Sequence, residues 1–342
     1  MKYRVLLVHE IFYPTFSGGA ERILLEIIER ISNFCSVTVL TTGDPSVRFY
    51  RGIPTYRVKT HRYFFNIFSI PYLFALGKKH DIIIANTYHS AIPSFIVAKV
   101  LKKPVVLLVH GCYRWKWLSI SRVYGILAIF FEKIIFSLPF DKIIFFSEFS
   151  KLEGLKLGAK NCTVITPGIS IKSINIKNLA KEDFVLFVGR LEKQKGIDRL
   201  IEIAKLLPSI KFIIIGKGKL KDKLSNVIHL GFVPDKVLKR FYRQAFIFFL
   251  PSRAETLGYS ILEAMSHGCL IISTVPLKYH GFCIKKFNIP EVKDIFIKIY
   301  RKKNKYKKIG LKNIEIVKKY YKWEGFILKL LGIIKNLISR KR

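Results

Sequence analysis

Residues 251–268 read PSRAETLGYSILEAMSHG and carry two glutamates, Glu255 and Glu263, eight positions apart. Such a pair could act as general acid and base, or hold the hydroxyls of a polar ligand. Upstream, FVGRLEKQKGIDRLIE places Arg190 and Lys195 just past an apolar run. A guanidinium offers a bidentate fork and an ammonium a point charge, so this pair can neutralise a diphosphate. Two glycine-bearing turns complete the set: Gly18 and Gly19 in FSGGAER, and Gly216 in IIIGKGKL. Glycines let the backbone approach a ligand closely, and the N–H groups that open a helix attract phosphate. Neither turn matches the dinucleotide fingerprint G-x-G-x-x-G. Taken singly, each feature also has a bland reading, as a solvated helix-end acid, a surface cation or an ordinary turn.

The elements that must position these residues follow from hydrophobic periodicity. RVLLV, VTVLT, DIIIAN and PVVLLVHG are apolar strands. Between the first two lies GGAERILLEIIERI, with Ile23, Leu24, Ile27, Ile28 and Ile31 on one helical face. Strands that are apolar throughout predict a parallel sheet covered on both faces. The pattern restarts with DFVLFVGR, KFIIIG, NVIHLG, AFIFFLP and LIIST. Two α/β series therefore flank NCTVITPGISIKSINIKNLAKED, which reads as the link. In such sheets ligands bind at the carboxyl ends of the strands, where Arg190, Lys195 and Glu255 fall. AFIFFL is a strand, PSRAET a loop and LGYSILEAMSHG a helix closed by Gly268. Glu255 then lies in the loop facing the cleft between the series, with the Leu257 and Gly258 N–H groups aimed at the same space, and Glu263 about two turns into the helix.

The 342 residues suit two domains of moderate size. With 60 Lys+Arg against 23 Asp+Glu, the formal charge is +37, a field that attracts phosphates, nucleic acids and anionic membranes. About a third of it comes from residues 301–342, which hold 15 Lys+Arg and two acids. The five cysteines are odd in number and form no C-x-x-C pair, so reduced thiols are expected rather than zinc or disulfides. MKYRVLLVHE reads as a first strand and not a signal peptide. No run reaches the roughly 18 apolar residues of a membrane span. YFFNIFSIPYLFALG comes nearest, and YGILAIFFEKIIFSLPF is broken by Glu132 and Lys133.

In order and spacing, GGAE, VGRLEKQKG, SRAETLGYSILEAMSHG and the ending YYKWEGFILKLL resemble the retaining glycosyltransferases of the GT-B fold, family four, also called glycosyl transferases group 1. The resemblance covers nearly the whole chain. It implies an α/β architecture of two Rossmann-like doubly wound domains facing a central cleft. Residues 1–170 would form the acceptor-side domain, 171–315 the nucleotide-sugar-binding domain, and 316–342 a helix crossing back to the first domain with a basic tail. It implies that Arg190 and Lys195 hold the donor diphosphate, that Glu255 contacts the transferred sugar, and that Leu257 and Gly258 present N–H groups to sugar or phosphate oxygens. Glu263 would bind the ribose, Gly19 would approach the diphosphate, and His110 in LLVHG matches a family histidine that faces the sugar. Two places depart from the family pattern: Pro167-Gly168 stands where Asn-Gly is usual, and the segment after Thr274 lacks the usual glycine-rich acidic turn.

Breaking a sugar–phosphate bond develops negative charge on the leaving diphosphate. Fixed cations at Arg190 and Lys195 can stabilise it, and no D-x-D metal motif occurs, so neither metal nor cofactor is expected. The expected function is transfer of a hexose from a nucleotide diphosphate sugar to a glycan or lipid-linked acceptor, with retention of configuration. A sugar-nucleotide-binding homologue without activity is the alternative. A nucleic-acid-binding protein would need a groove-reading module or an aromatic RNA signature, and neither occurs. A dinucleotide-dependent epimerase would need the missing fingerprint. Trp323, Phe326, Ile327, Leu330, Ile334, Leu337 and Ile338 follow helical spacing and are expected to pack. RKKNKYKK and LISRKR are expected to be solvated or bound to anionic headgroups. With Tyr63–Leu76, they suggest a cytoplasmic enzyme held peripherally at the inner face of a membrane.

Overall fold

The computed structural model describes residues 2–15, 18–119, 122–170, 180–220 and 223–341. Two compact units result. The first holds residues 1–114, 127–167 and 324–342, and the second 115–126 and 168–323.

In the first unit the strands are β1 (Arg4–Val8), β2 (Ser36–Thr42), β3 (Phe49–Tyr50), β4 (Ile53–Val58), β5 (Ile82–Asn86), β6 (Val105–Val109), β7 (Lys142–Phe145) and β8 (Cys162–Val164). They form one sheet in the order β3-β4-β2-β1-β5-β6-β7-β8, parallel except for the short β3–β4 pair. Helix α1 (Gly19–Ile31) buries Ile23, Leu24, Ile27, Ile28 and Ile31, the face its periodicity predicts. Helices α2 (Phe65–Phe68), α3 (Ile70–Lys79), α4 (Tyr88–Val100), α5 (Arg122–Ser137) and α6 (Glu148–Lys156) follow, α5 joining this unit from Leu127 on. Phe65, Leu73, Val97, Ile135 and Phe136 from α2 to α5 share one core with Leu6 and Val8 of β1. Burial on both faces explains why β1, β5 and β6 are apolar at nearly every position.

The second unit repeats the scheme in the order β11-β10-β9-β12-β13-β14, all parallel. Its strands are β9 (Glu182–Val188), β10 (Lys211–Ile215), β11 (Val227–His229), β12 (Ala245–Leu250), β13 (Leu270–Ser273) and β14 (Gly281–Cys283). Helices α7 (Ile197–Leu206), α8 (Asp235–Gln244), α9 (Tyr259–Ser266), α10 (Ile289–Arg301), α11 (Lys303–Leu311) and α12 (Asn313–Tyr320) accompany them, and α13 (Trp323–Ser339) ends the chain. From Glu324 on, α13 belongs to the first unit, where Phe326 packs on Phe146, ring centroids 5.8 Å apart.

Several details differ from the sequence reading. Cys162–Val164, inside the stretch read as link, is a strand paired with β7. Residues 171–179 of that stretch lie outside the described residues, and its last two residues, Glu182 and Asp183, begin strand β9. Strand β14 has little apolar signal because it is an edge of three residues. Lys303 and Lys307, read as solvated or lipid-bound, both pair with Asp183, at 2.6 and 2.8 Å. Lys341 is tied to Asp141 at 3.2 Å and to the Lys103 carbonyl. Three of the 15 C-terminal cations are thus tied to other parts of the chain.

Candidate active site

In the second unit the site forms where β9 and β12 end. β9 runs into Gly189 and Arg190, and a short 3-10 turn, Lys193–Lys195, leads into α7. Gly196 follows at φ +76, where a Cβ would lie 2.1 Å from the Pro251 carbonyl oxygen. This forced approach of two loops brings Lys195 beside Glu255, and the ammonium and carboxylate are in direct contact. Thr256 N–H donates to Glu255 Oε1 at 3.2 Å. Burial raises the Glu255 pKa, but the Lys195 charge and the N–H groups of Thr256 and Gly258 outweigh it and hold the carboxyl below its ordinary value. One ammonium and two backbone donors therefore converge on a single anionic position at the start of α9, the geometry of an oxyanion site.

Glu263 accepts from the Tyr242 hydroxyl at 2.9 Å. The Tyr242 ring stacks on His267, whose Nδ1 lies 2.8 Å from the Glu263 carbonyl. Sequence reasoning missed Tyr242, the buried residue of α8, because nothing in DKVLKRFYRQ sets it apart from Val237, Leu238 and Phe241. Arg190 is exposed and pairs with Glu192 at 2.9 Å, on the rim of the loop. Leu257 is buried. Gly216 also has a structural task. At φ +150 its missing Cβ makes room for the Gly189 carbonyl, which a side chain would meet at 1.8 Å. That glycine joins two strand-end loops.

The first unit contains Gly18, Gly19 and His110 and a buried polar cluster that joins them. Gly18 is extended and caps α1; around Gly19 no described atom lies within 4 Å of where a Cβ would stand. His110 follows β6, and its Nε2 lies 2.9 Å from Asn86 Oδ1. Since a carboxamide oxygen accepts, Nε2 carries the hydrogen. The Asn86 carbonyl oxygen accepts from His9 Nδ1 at 3.0 Å, and His9 Nε2 lies 4.0 Å from Glu21 in the first turn of α1. His9 also meets Glu10 at 3.1 Å, and Glu10 accepts from Thr87 at 2.7 Å and faces Arg62 at 3.4 Å.

Electrostatics separates the two histidines. Burial opposes a charge on His9, but Glu10 overrides it and the pKa is raised. Burial likewise opposes the Glu10 charge, and His9, His89 and the Thr87 hydroxyl reverse that, so Glu10 is lowered. At His110, burial, aided by the His9 charge and opposed by Glu10, pushes the pKa down to about 3. His110 is a neutral imidazole beside a charged His9–Glu10 pair. Thr87, at φ +76, is an outlier for a β-branched residue and is held by its bonds to Glu10 and to the Leu108 carbonyl. The sequence reading contained His110 but none of His9, Glu10, Glu21, Asn86 or Thr87.

Family models place this geometry. Residues 17–173 match the model described as Glycosyltransferase Family 4, and residues 171–315 match Glycosyl transferases group 1. The chain belongs to the glycosyl transferases of group 1 and has the GT-B fold. An uncharacterised glycosyltransferase of Methanocaldococcus jannaschii is 25% identical over 97% of this chain and 98% of its own length. A second from the same organism is 36% identical over a stretch covering 30% of either chain. Among solved structures, Anabaena HepE in complex with UDP and glucose superposes with a TM-score of 0.76 at 17% identity, covering 98% of this chain and 100% of that one.

Proposed function

We propose that the protein is a retaining glycosyltransferase. It moves a hexose from a nucleotide diphosphate sugar to a glycan or lipid-linked acceptor at an anionic membrane surface, without a metal. The observation that carries this reading is the convergence of Lys195 and the Thr256 and Gly258 N–H groups on one anionic position. In the resting chain the Glu255 carboxylate holds that position. With donor bound, Lys195 and Arg190 neutralise the diphosphate as charge develops on it, and Glu255 turns to the sugar hydroxyls. Leu257 and Gly258 N–H groups meet the sugar or phosphate oxygens. Glu263, oriented by Tyr242, takes the ribose hydroxyls. In the first unit the reading assigns Gly18 and Gly19 to the diphosphate and His110 to the sugar, as a neutral hydrogen-bonding group rather than a general base. HepE, of the same fold, was solved with UDP and glucose, which supports a nucleotide sugar as donor.

A thermal-shift and turnover screen of UDP-, GDP- and ADP-sugars tests the reading. At least one is expected to stabilise the protein, less so in Lys195→Ala, with turnover unaffected by EDTA and the product anomer unchanged from the donor's. No stabilisation by any of them would sink the assignment. Binding without turnover would favour a sugar-nucleotide binder that has lost activity. The short connection from Thr274 to His280, which contains no acid, is what speaks for that second reading.

A further inference from the structure

Helix α5 is apolar on two opposite faces. Its inner face supplies Ile135 and Phe136 to the core of the first unit. Its single acid, Glu132, also points inward, 1% exposed. There it accepts from the Tyr88 hydroxyl at 2.6 Å and from the Tyr113 and Arg114 N–H groups at 2.9 and 2.8 Å. The outer face carries Val123, Ile126, Leu127, Phe130 and Phe131 at helical spacing, all exposed, Val123 by 77% and Phe130 by 61%. A water-facing helix ordinarily puts polar residues there, and contiguous exposed apolar surface marks a binding face. Singly exposed leucines need no explanation, but five aligned on one helix do.

Charge indicates what covers it. Lys133 stands exposed on the same helix. Just past the helix end, Asp141 is shared by Lys99 at 3.9 Å and Lys341 at 3.2 Å, two cations on one acid. No acid of α5 reaches the outer face. Ile67 and Phe68 of α2, on the side of the sheet that α5 covers, are exposed as well, with Lys78 and Lys79 closing the next helix. An apolar stripe with an exposed lysine and no outward acid on its own helix matches the interface of a bilayer, where aliphatic and aromatic side chains enter and cations stay with the headgroups.

The geometry points to the outer face of α5 as the element that enters an anionic lipid surface. This inference rests on the membrane-surface reading above and names the contact, which that reading sought in the C-terminal basic segment and in Tyr63–Leu76. The stripe does the inserting, and the lysines supply attraction that salt screens.

The test is flotation of the full chain with vesicles of phosphatidylglycerol and phosphatidylcholine, beside vesicles of phosphatidylcholine alone. Wild type is expected to float with the first and far less with the second. Leu127→Glu combined with Phe130→Glu is expected to lower the bound fraction about tenfold or more, while sugar-nucleotide stabilisation stays unchanged. Phe130→Trp, a mild change that guards against misfolding of the double variant, is expected to show a blue-shifted emission with anionic vesicles. If wild type floats and the double variant floats equally, or the tryptophan emission does not move, the α5 contact is wrong while the membrane reading stands. If wild type does not float, both fail. A lipid-free dimer by light scattering that the double variant dissolves would make this face an interface between copies and overturn the inference.

Discussion

The two units contain polar clusters built on opposite plans. In the second unit, Lys195 and Glu255 meet at a loop–helix junction, and the ammonium, 22% exposed, reaches solvent. Either partner can exchange the other for a ligand. In the first unit, His9 and Glu10 are 1% and 5% exposed, and Asn86 locks them to His110 through its carbonyl and its amide oxygen. A buried pair of that kind holds shape, because each charge is held by the other away from water. The contrast teaches a division of labour. On the proposed reading, the second unit keeps a charge that can move onto a diphosphate, and the first keeps a buried floor under one imidazole.

Removing Lys195 breaks that contrast hardest. Lys195→Ala takes away the cation facing the developing charge and leaves Glu255 buried without its main partner. Turnover is expected to fall about 100- to 1,000-fold, as when one electrostatic donor is deleted from an enzyme site, and the melting temperature falls as well, because the Glu255 carboxylate is left buried without its cation. A loss of less than tenfold in steady-state transfer would refute the assigned role. Next is Asn86→Ala, which removes the amide oxygen that His110 Nε2 faces in a buried place. Stability is expected to drop about 1–3 kcal/mol, read from urea unfolding, with a smaller loss of turnover. The order of damage is then reversed: activity before stability at Lys195, stability before activity at Asn86. Asn86→Asp sharpens the point, since a carboxylate beside His110 would raise its pKa where alanine would not.

The same contrast governs what could be read from the sequence. Glu255 and Glu263 share one loop and helix, and Arg190 and Lys195 share another, so their spacing alone placed them together. The floor of the first unit is drawn from the ends of β1, β5 and β6. His9 and Asn86 are 77 positions apart and Asn86 and His110 are 24 apart. Nothing local marks Asn86 as the residue that both histidines need. Only the parallel register, which sets Val8 beside Ala85 and Ala85 beside Leu107, brings those ends together. Gly216 shows the converse. Its motif was legible, but the neighbour it accommodates is the Gly189 carbonyl, a contact that only the folded backbone reveals. The outer face of α5 was half legible: an apolar run interrupted by Glu132 looks broken until the acid is seen to turn inward.

Acid sensitivity gives a finer test. His110 and His267 are pushed by burial from an ordinary 6.5 down to about 3 and about 4. As pH falls below 6.5, the unfolded chain takes up protons that the folded chain refuses. Each histidine then removes up to about 1.4 kcal/mol of stability per pH unit, until the folded group titrates in turn. His9 is raised, so its contribution is complete below 6.5 and fades only at higher pH. The urea midpoint is therefore expected to fall between pH 7 and pH 5, and to fall less steeply in His110→Gln. An unchanged slope in that variant would mean that His110 is not held neutral by burial.

The smallest expected effect probes the least obvious contact. Tyr242 donates to Glu263 from a buried ring stacked on His267. Tyr242→Phe keeps the ring and removes one hydroxyl. Glu263 retains its other interactions and is only half-buried, so the carboxylate stays hydrated in part and the loss is limited to about 1 kcal/mol. If Glu263 holds the ribose, that loss belongs to donor binding and not to the chemical step. The expected result is a rise in the donor KM of about fivefold with kcat unchanged, since an interaction equal in ground and transition states changes KM alone. A fall in kcat at constant KM would instead put Glu263 in contact with the reacting sugar, and the two glutamates would be the acid/base pair that their spacing first suggested.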